Sequence, residues 1–100
     1  MDKYQIKLMP KAYRDLDGIY EHIAEEFKSP ETADAMADAL DDAILGLDVM
    51  PYRGAERKVG AYANKGYRQL FVKNYTIVYR INEKKKMVII VTVKYTPSDF

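Results

Sequence analysis

The sequence predicts an α+β fold, ordered strand, helix, helix, strand, strand, strand, in which an N-terminal helical hairpin packs on one face of a small, mainly antiparallel sheet. Three observations lead there. Apolar residues recur at three- and four-residue steps between Leu16 and Leu47, alternate at the start of the chain and again after Tyr67, and short turn signals separate the later alternating runs. A sheet with one face covered by a helical pair is the simplest way to bury both helical stripes. At 100 residues with 48% hydrophobic content the chain forms one domain, 1–100, and should bury roughly two thirds of its unfolded surface.

Tyr4, Ile6 and Leu8 alternate with Gln5 and Lys7, the period of a short half-buried strand. Pro10 stops it and suits the first turn of a helix whose stripe is Leu16, Ile19, Tyr20, Ile23 and Phe27, ending near Lys28. Ser29-Pro30-Glu31 is a second start signal: Ser29 caps, Pro30 takes the first helical position, and Glu31 favours the helix dipole. Met36, Leu40, Ala43, Ile44 and Leu47 form the second stripe, and so short a connection makes the helices antiparallel. Pro51 ends this helix. The stretch from Tyr52 to Gly66 has no clean period, so a basic loop with room for a short strand is expected. Strands follow at Tyr67 to Val72, Tyr75 to Ile81 and Met87 to Tyr95, joined by turns at Lys73-Asn74 and Asn82 to Lys86.

The net charge of +1 hides a division. Met1 to Met50 hold five basic residues against twelve acidic ones, a net of −7; Pro51 to Phe100 hold eleven against three, a net of +8. Such asymmetry points to a polyanionic partner for the second half. Other classes are excluded. With no cysteine there are no disulfides or thiolate zinc sites, and one histidine rules against the usual zinc centres, so no metal or cofactor is expected. Gly54, Gly60 and Gly66 do not make a phosphate loop. The opening residues lack the apolar core of a signal peptide and no stretch is long enough to span a bilayer, so a cytoplasmic protein without membrane partners is expected.

His22 falls on the solvent flank of the first helix among Glu21, Glu25 and Glu26, and without a cysteine or a second histidine no nucleophilic triad can be built. Ser29 and Ser98 read as cap and tail, the acidic helix faces as solvated, and Lys84, Lys85 and Lys86 as a hairpin turn. At least half of the nine tyrosines are expected in the sheet core. What remains is basic and aromatic. Arg53, Arg57, Lys58, Lys65, Lys73, Arg80 and Lys94 are candidates for neutralising nucleic-acid phosphates, with Arg68 sharing a face with Leu70 and Val72 so that only its tip is exposed. Cleavage of RNA by its own 2′-hydroxyl needs charge stabilisation, which arginine and lysine supply, and proton carriers, for which tyrosine or a lysine of depressed pKa would serve.

The segments YQIKLMPKAYRDLDGIYEHIAEEF, SPETA, PYRG, GYRQLFVKNYTIVYRI and VIIVTVKY together resemble the RelE/ParE superfamily, the toxins of bacterial type II toxin–antitoxin systems, over nearly the whole length. The resemblance implies a small sheet flanked by a helical hairpin and a cognate antitoxin that folds on the toxin and neutralises it, so that operator DNA is met only through the antitoxin. RelE-like members are ribosome-dependent mRNA endonucleases, whereas ParE-like members inhibit DNA gyrase without cutting nucleic acid. The RelE-like arginine early in NYTIVYRI is Thr76 here. Tyr95 matches the C-terminal aromatic position, and the arginines that often follow are Thr96, Pro97 and Ser98. Arg68 matches the arginine of the G-x-R strand opening common to both branches. The basic half favours RNA-directed arrest of translation on ribosome and mRNA, with Arg68 and Tyr95 as catalytic candidates; gyrase inhibition is the alternative, and a degenerate toxin acting as a binding or co-repressor module is the third reading.

Overall fold

A computed structural model of the chain describes residues 3–27 and 29–97. Its elements are β1 (Gln5–Leu8), α1 (Pro10–Phe27), α2 (Pro30–Leu45), a 3-10 turn (Gly46–Asp48), β2 (Ala55–Glu56), β3 (Arg68–Val72), β4 (Tyr75–Asn82) and β5 (Met87–Tyr95). The expected class and order hold, with β2 as the short strand inside the basic loop. The five strands form one sheet in the order β1-β5-β4-β3-β2, antiparallel except where β1 lies parallel to β5. Lys28 and Ser98, and the side chain of Phe27, lie outside the described residues.

The start signals act as anticipated, whereas α2 gives way to the 3-10 turn after Leu45, before Pro51 is reached. Ser29 caps α2, its Oγ accepting from the Thr32 amide at 3.3 Å, and Pro30 opens the helix where a missing N–H costs nothing. Ala33, Leu40, Ile44 and Leu47 are buried along one stripe, with Met36 and Ala43 packed against them. On α1, Ala12 and Ile23 are buried, and Leu16 and Ile19 pack against the same core. Tyr20 departs from its predicted place: it is 40% exposed, and its hydroxyl donates to Asp34 of α2 at 2.8 Å. It ties the two helices instead of filling the core.

Opposite residues of an antiparallel pair share a face. Leu70, Ile77 and Val93 form one row beneath the helices, and Arg68, Tyr79 and Ile90 another. One shift of register keeps these rows together. Val78 pairs with Thr92 but Tyr79 with Ile90, so Val91 is an extra residue, a β-bulge in β5. Strict alternation from Ile90 would have turned Val93 and Tyr95 away from the helices; the bulge returns both to the helical side.

The opposite face is not bare. Val78, Ile89, Thr76 and Thr92 are buried there, and of these Thr92 is met by the α1 side chains Lys11 and Asp15. Arg57 is only 7% exposed, and its Nη1 donates to Oε1 of Gln69, which shares that face with Val78, at 2.9 Å. The basic loop therefore folds back over the sheet.

The tyrosines correct the expectation of a mostly buried set. Tyr75 and Tyr79 are buried and Tyr4 packs against the core, whereas Tyr13, Tyr20, Tyr52 and Tyr95 are exposed. Their hydroxyls are better satisfied near water or a carboxylate. No helix among the described residues is long and apolar enough to cross a membrane.

Candidate groove and the basic surface

β1 ends opposite Ile90, and the Met9 amide continues its ladder by donating to the Ile90 carbonyl at 2.9 Å. Beyond that point β5 has a free edge, which α1 closes with a side chain. Asp15 accepts from the Val93 amide at 3.2 Å, from the Thr92 hydroxyl, and from Nζ of Lys11 at 3.1 Å. Nζ of Lys94 lies 3.6 Å from its other oxygen. Burial pushes the Asp15 carboxyl up, but the hydrogen bonds from Thr92, Lys11 and Val93 outweigh it and hold the pKa below the usual range. The Lys94 ammonium is pushed down, first by Lys11 beside it and then by burial, against the pull of Asp15.

Next to this network a groove of about 750 Å³ opens between α1 and the end of the sheet. Ile19 and Ile23 of α1, Met36 of α2, and Tyr75, Val93 and Tyr95 of the sheet make it apolar, while Arg14, His22 and Glu26 stand along its helical side and Lys94 on the strand side. Tyr95 is 47% exposed and stands edge-on to Tyr75, with ring centroids 5.7 Å apart. His22 is exposed, as predicted.

Arg68 lies elsewhere. Its Nε donates to the Gly54 carbonyl at 2.8 Å and its Nη2 to the Tyr52 carbonyl at 3.4 Å, and its guanidinium stacks over the Tyr52 ring at 5.1 Å. Tyr79 completes this junction: its buried hydroxyl accepts from the Gly54 amide at 2.9 Å and donates to the Pro51 carbonyl at 2.8 Å. A Cβ on Gly54 would sit 2.3 Å from the Gln69 carbonyl oxygen, so PYRG requires its glycine.

Arg68 pairs with Tyr79, whereas Tyr95 pairs with Tyr75, the partner of Val72. Four residues along the strand and two strands across place their Cα atoms about 13 Å apart in one direction and about 10 Å in the other. The structure does not bring the two catalytic candidates together. Thr76 is buried, its hydroxyl 2.8 Å from that of Thr96.

The other basic candidates are spread out. Arg53 is exposed at the junction, Lys58 and Lys65 are exposed in the loop after β2, and Lys73 is exposed in the β3–β4 turn with a left-handed φ of 55°. Arg80 is exposed on the face opposite the helices, Arg57 is buried there, and Lys94 stands at the groove. Sequence reasoning missed the Asp15 network, because a carboxylate on an amphipathic helix looks like any solvated one until the free edge of β5 is placed beside it. It also passed over Gly18, a glycine in the middle of α1. No group of acidic or histidine side chains suited to a metal ion occurs among the described residues.

The model of the family described as the ParE toxin of the type II toxin–antitoxin system parDE matches residues 6–100. No curated protein matches the sequence. Among solved structures the chain is similar to the chromosomal ParDE toxin–antitoxin system of P. aeruginosa, with 23% identity over 93% of this chain and 96% of that one and a TM-score of 0.75. It is also similar to the RelBE2 toxin–antitoxin complex of Mycobacterium tuberculosis, with 22% identity, 95% and 93% coverage and a TM-score of 0.65. The intact E. coli RelBE complex shares the fold at 12% identity, with 95% and 99% coverage and a TM-score of 0.60. The family match runs from the first strand to the end of the chain and so takes in both walls of the groove and the PYRG junction; the chain belongs to the ParE toxins of type II toxin–antitoxin systems.

Proposed function

We propose that this chain is the growth-arresting toxin of a toxin–antitoxin pair in the cytoplasm, held inactive by an antitoxin segment in the groove, and that it acts by binding DNA gyrase without cutting nucleic acid. One observation carries the choice of activity. The arginine and the tyrosine that a nuclease would use stand at opposite ends of one sheet face, and the arginine is occupied by two backbone carbonyls. Charge stabilisation and proton transfer must converge on one phosphate, and separated groups cannot serve it together. The Thr76–Thr96 pair, where RelE-like sequences carry arginines, supports the same reading.

The second reading, ribosome-dependent cleavage of mRNA, rests on exposed Lys58, Lys65, Lys73 and Arg80. Inducing the chain alone, then mapping mRNA ends and plasmid supercoiling in the same cells, separates the two. Gyrase binding predicts lost negative supercoiling with intact messages, and purified chain should inhibit gyrase. Messages cut within minutes while supercoiling is unchanged would sink the proposal. Growth arrest with neither effect would overturn both readings of the target, and harmless overexpression with antitoxin binding retained would leave the chain a binding module only.

A further inference from the structure

Gly18 stands in the middle of α1, where glycine weakens a helix relative to alanine. Nothing among the described residues requires it: a Cβ there would meet none of their atoms within 4 Å, in contrast to Gly54. Gly18 is exposed and borders the groove, in one helical row with Arg14 and His22. A glycine that costs helix stability and relieves no internal contact is explained by close approach of something outside the chain.

The groove is also electrically polar along its length. At one end Arg14 and Lys94 line the groove with a single carboxylate, Asp15, which already accepts from Lys11, Thr92 and the Val93 amide and lies 3.6 Å from Nζ of Lys94. At the other end α1 presents Glu26.

We propose that a segment of the partner antitoxin crosses α1 in contact with Gly18, a small residue or bare backbone over the glycine, and sets an acidic side chain beside Arg14 and Lys94. This rests on the toxin–antitoxin reading and adds a contact point and a direction to it. Apolar residues of the segment cover Ile19, Ile23 and Val93, and reversing the segment would bring its carboxylate to Glu26. Charge complementarity thus selects one orientation.

The test uses the full chain and the neighbouring gene product that rescues growth when co-expressed with it. Binding is measured by calorimetry for wild type, Gly18→Ala, Gly18→Leu and Arg14→Glu, with the Tm of each free chain. Gly18→Ala should raise the Tm of the free chain by about 3–6 °C and yet weaken binding about tenfold, and Gly18→Leu should weaken it more than a hundredfold with the fold intact. Arg14→Glu should weaken binding about tenfold and flatten its salt dependence. Variants at Gly18 that bind as tightly as wild type would overturn the proposal while leaving the pair intact. If Gly18→Leu instead turned a dimer of the free chain into a monomer, the occupant would be a second copy and the proposal wrong. If wild type bound no rescuing protein at all, the toxin–antitoxin reading would fail and take this proposal with it.

Discussion

Arg68 shows how one side chain's partners decide its role. Two carbonyls and the Tyr52 ring hold its guanidinium at the PYRG junction, and on the gyrase reading its part is to hold that junction together. Replacing it with alanine should lower stability by about 1–3 kcal/mol through two unpaired carbonyls and a lost stacking contact. Loss of toxicity in Arg68→Ala should then track unfolding, measured by urea denaturation, and be restored on a stabilised background; a fully folded, non-toxic variant would argue for a direct role. Tyr79→Phe should also cost about 1–3 kcal/mol, because it leaves the Gly54 amide and the Pro51 carbonyl buried without their partner.

At the scale of elements, two side-chain networks do what strand pairing leaves undone. Asp15 closes the part of β5 that β1 is too short to cover, protecting an edge that would otherwise present free amides. Glu83, in the β4–β5 turn, accepts from the Tyr4 hydroxyl at 2.6 Å, from the Tyr52 hydroxyl, and from Nζ of Lys86 at 3.1 Å. It thus ties the chain's start, the PYRG junction and the hairpin together. Those bonds, Tyr4 foremost, hold its carboxyl at about 2, down from 4.5. A carboxyl depressed in the folded state contributes stability above its unfolded pKa and loses it as the pH falls through the folded value. Acid titration followed by circular dichroism should therefore show stability falling between pH 4.5 and about 2, and Glu83→Gln should be less stable at neutral pH with a flatter profile in that window. An unchanged profile would mean that the latch contributes nothing.

For the whole molecule, the division of charge becomes spatial. Glu21, Glu25, Asp38 and Asp41 are exposed on the helical hairpin, while Arg80, Lys58 and Lys65 are exposed on the opposite face or in the loop beside the sheet. Different partners therefore meet different signs. Were the basic side to grip phosphates, Lys58→Ala with Lys65→Ala should reduce the salt dependence of RNA binding by about one per lost contact. On the gyrase reading RNA binding stays weak and non-specific, and the double variant keeps its toxicity. Arg57 is a poor choice for that experiment, since its guanidinium is buried against Gln69 and its removal would loosen the loop.

The sequence by itself determined what depends on near neighbours: the helical stripes, the Ser29 cap, the short turns, the element order and the segregation of charge, because helix period and capping act within a few residues. Tertiary structure decided what depends on distant pairing. Only the sheet puts β1 beside β5 and leaves the edge that Asp15 closes. Only the bulge at Val91 turns Tyr95 into the groove, because one extra residue reverses every later side chain of a strand and nothing in the alternation of MVIIVTVKY marks where it falls. Arg68 follows the same rule: its face is readable from alternation, but the carbonyls that claim it come from a junction fourteen and sixteen residues away.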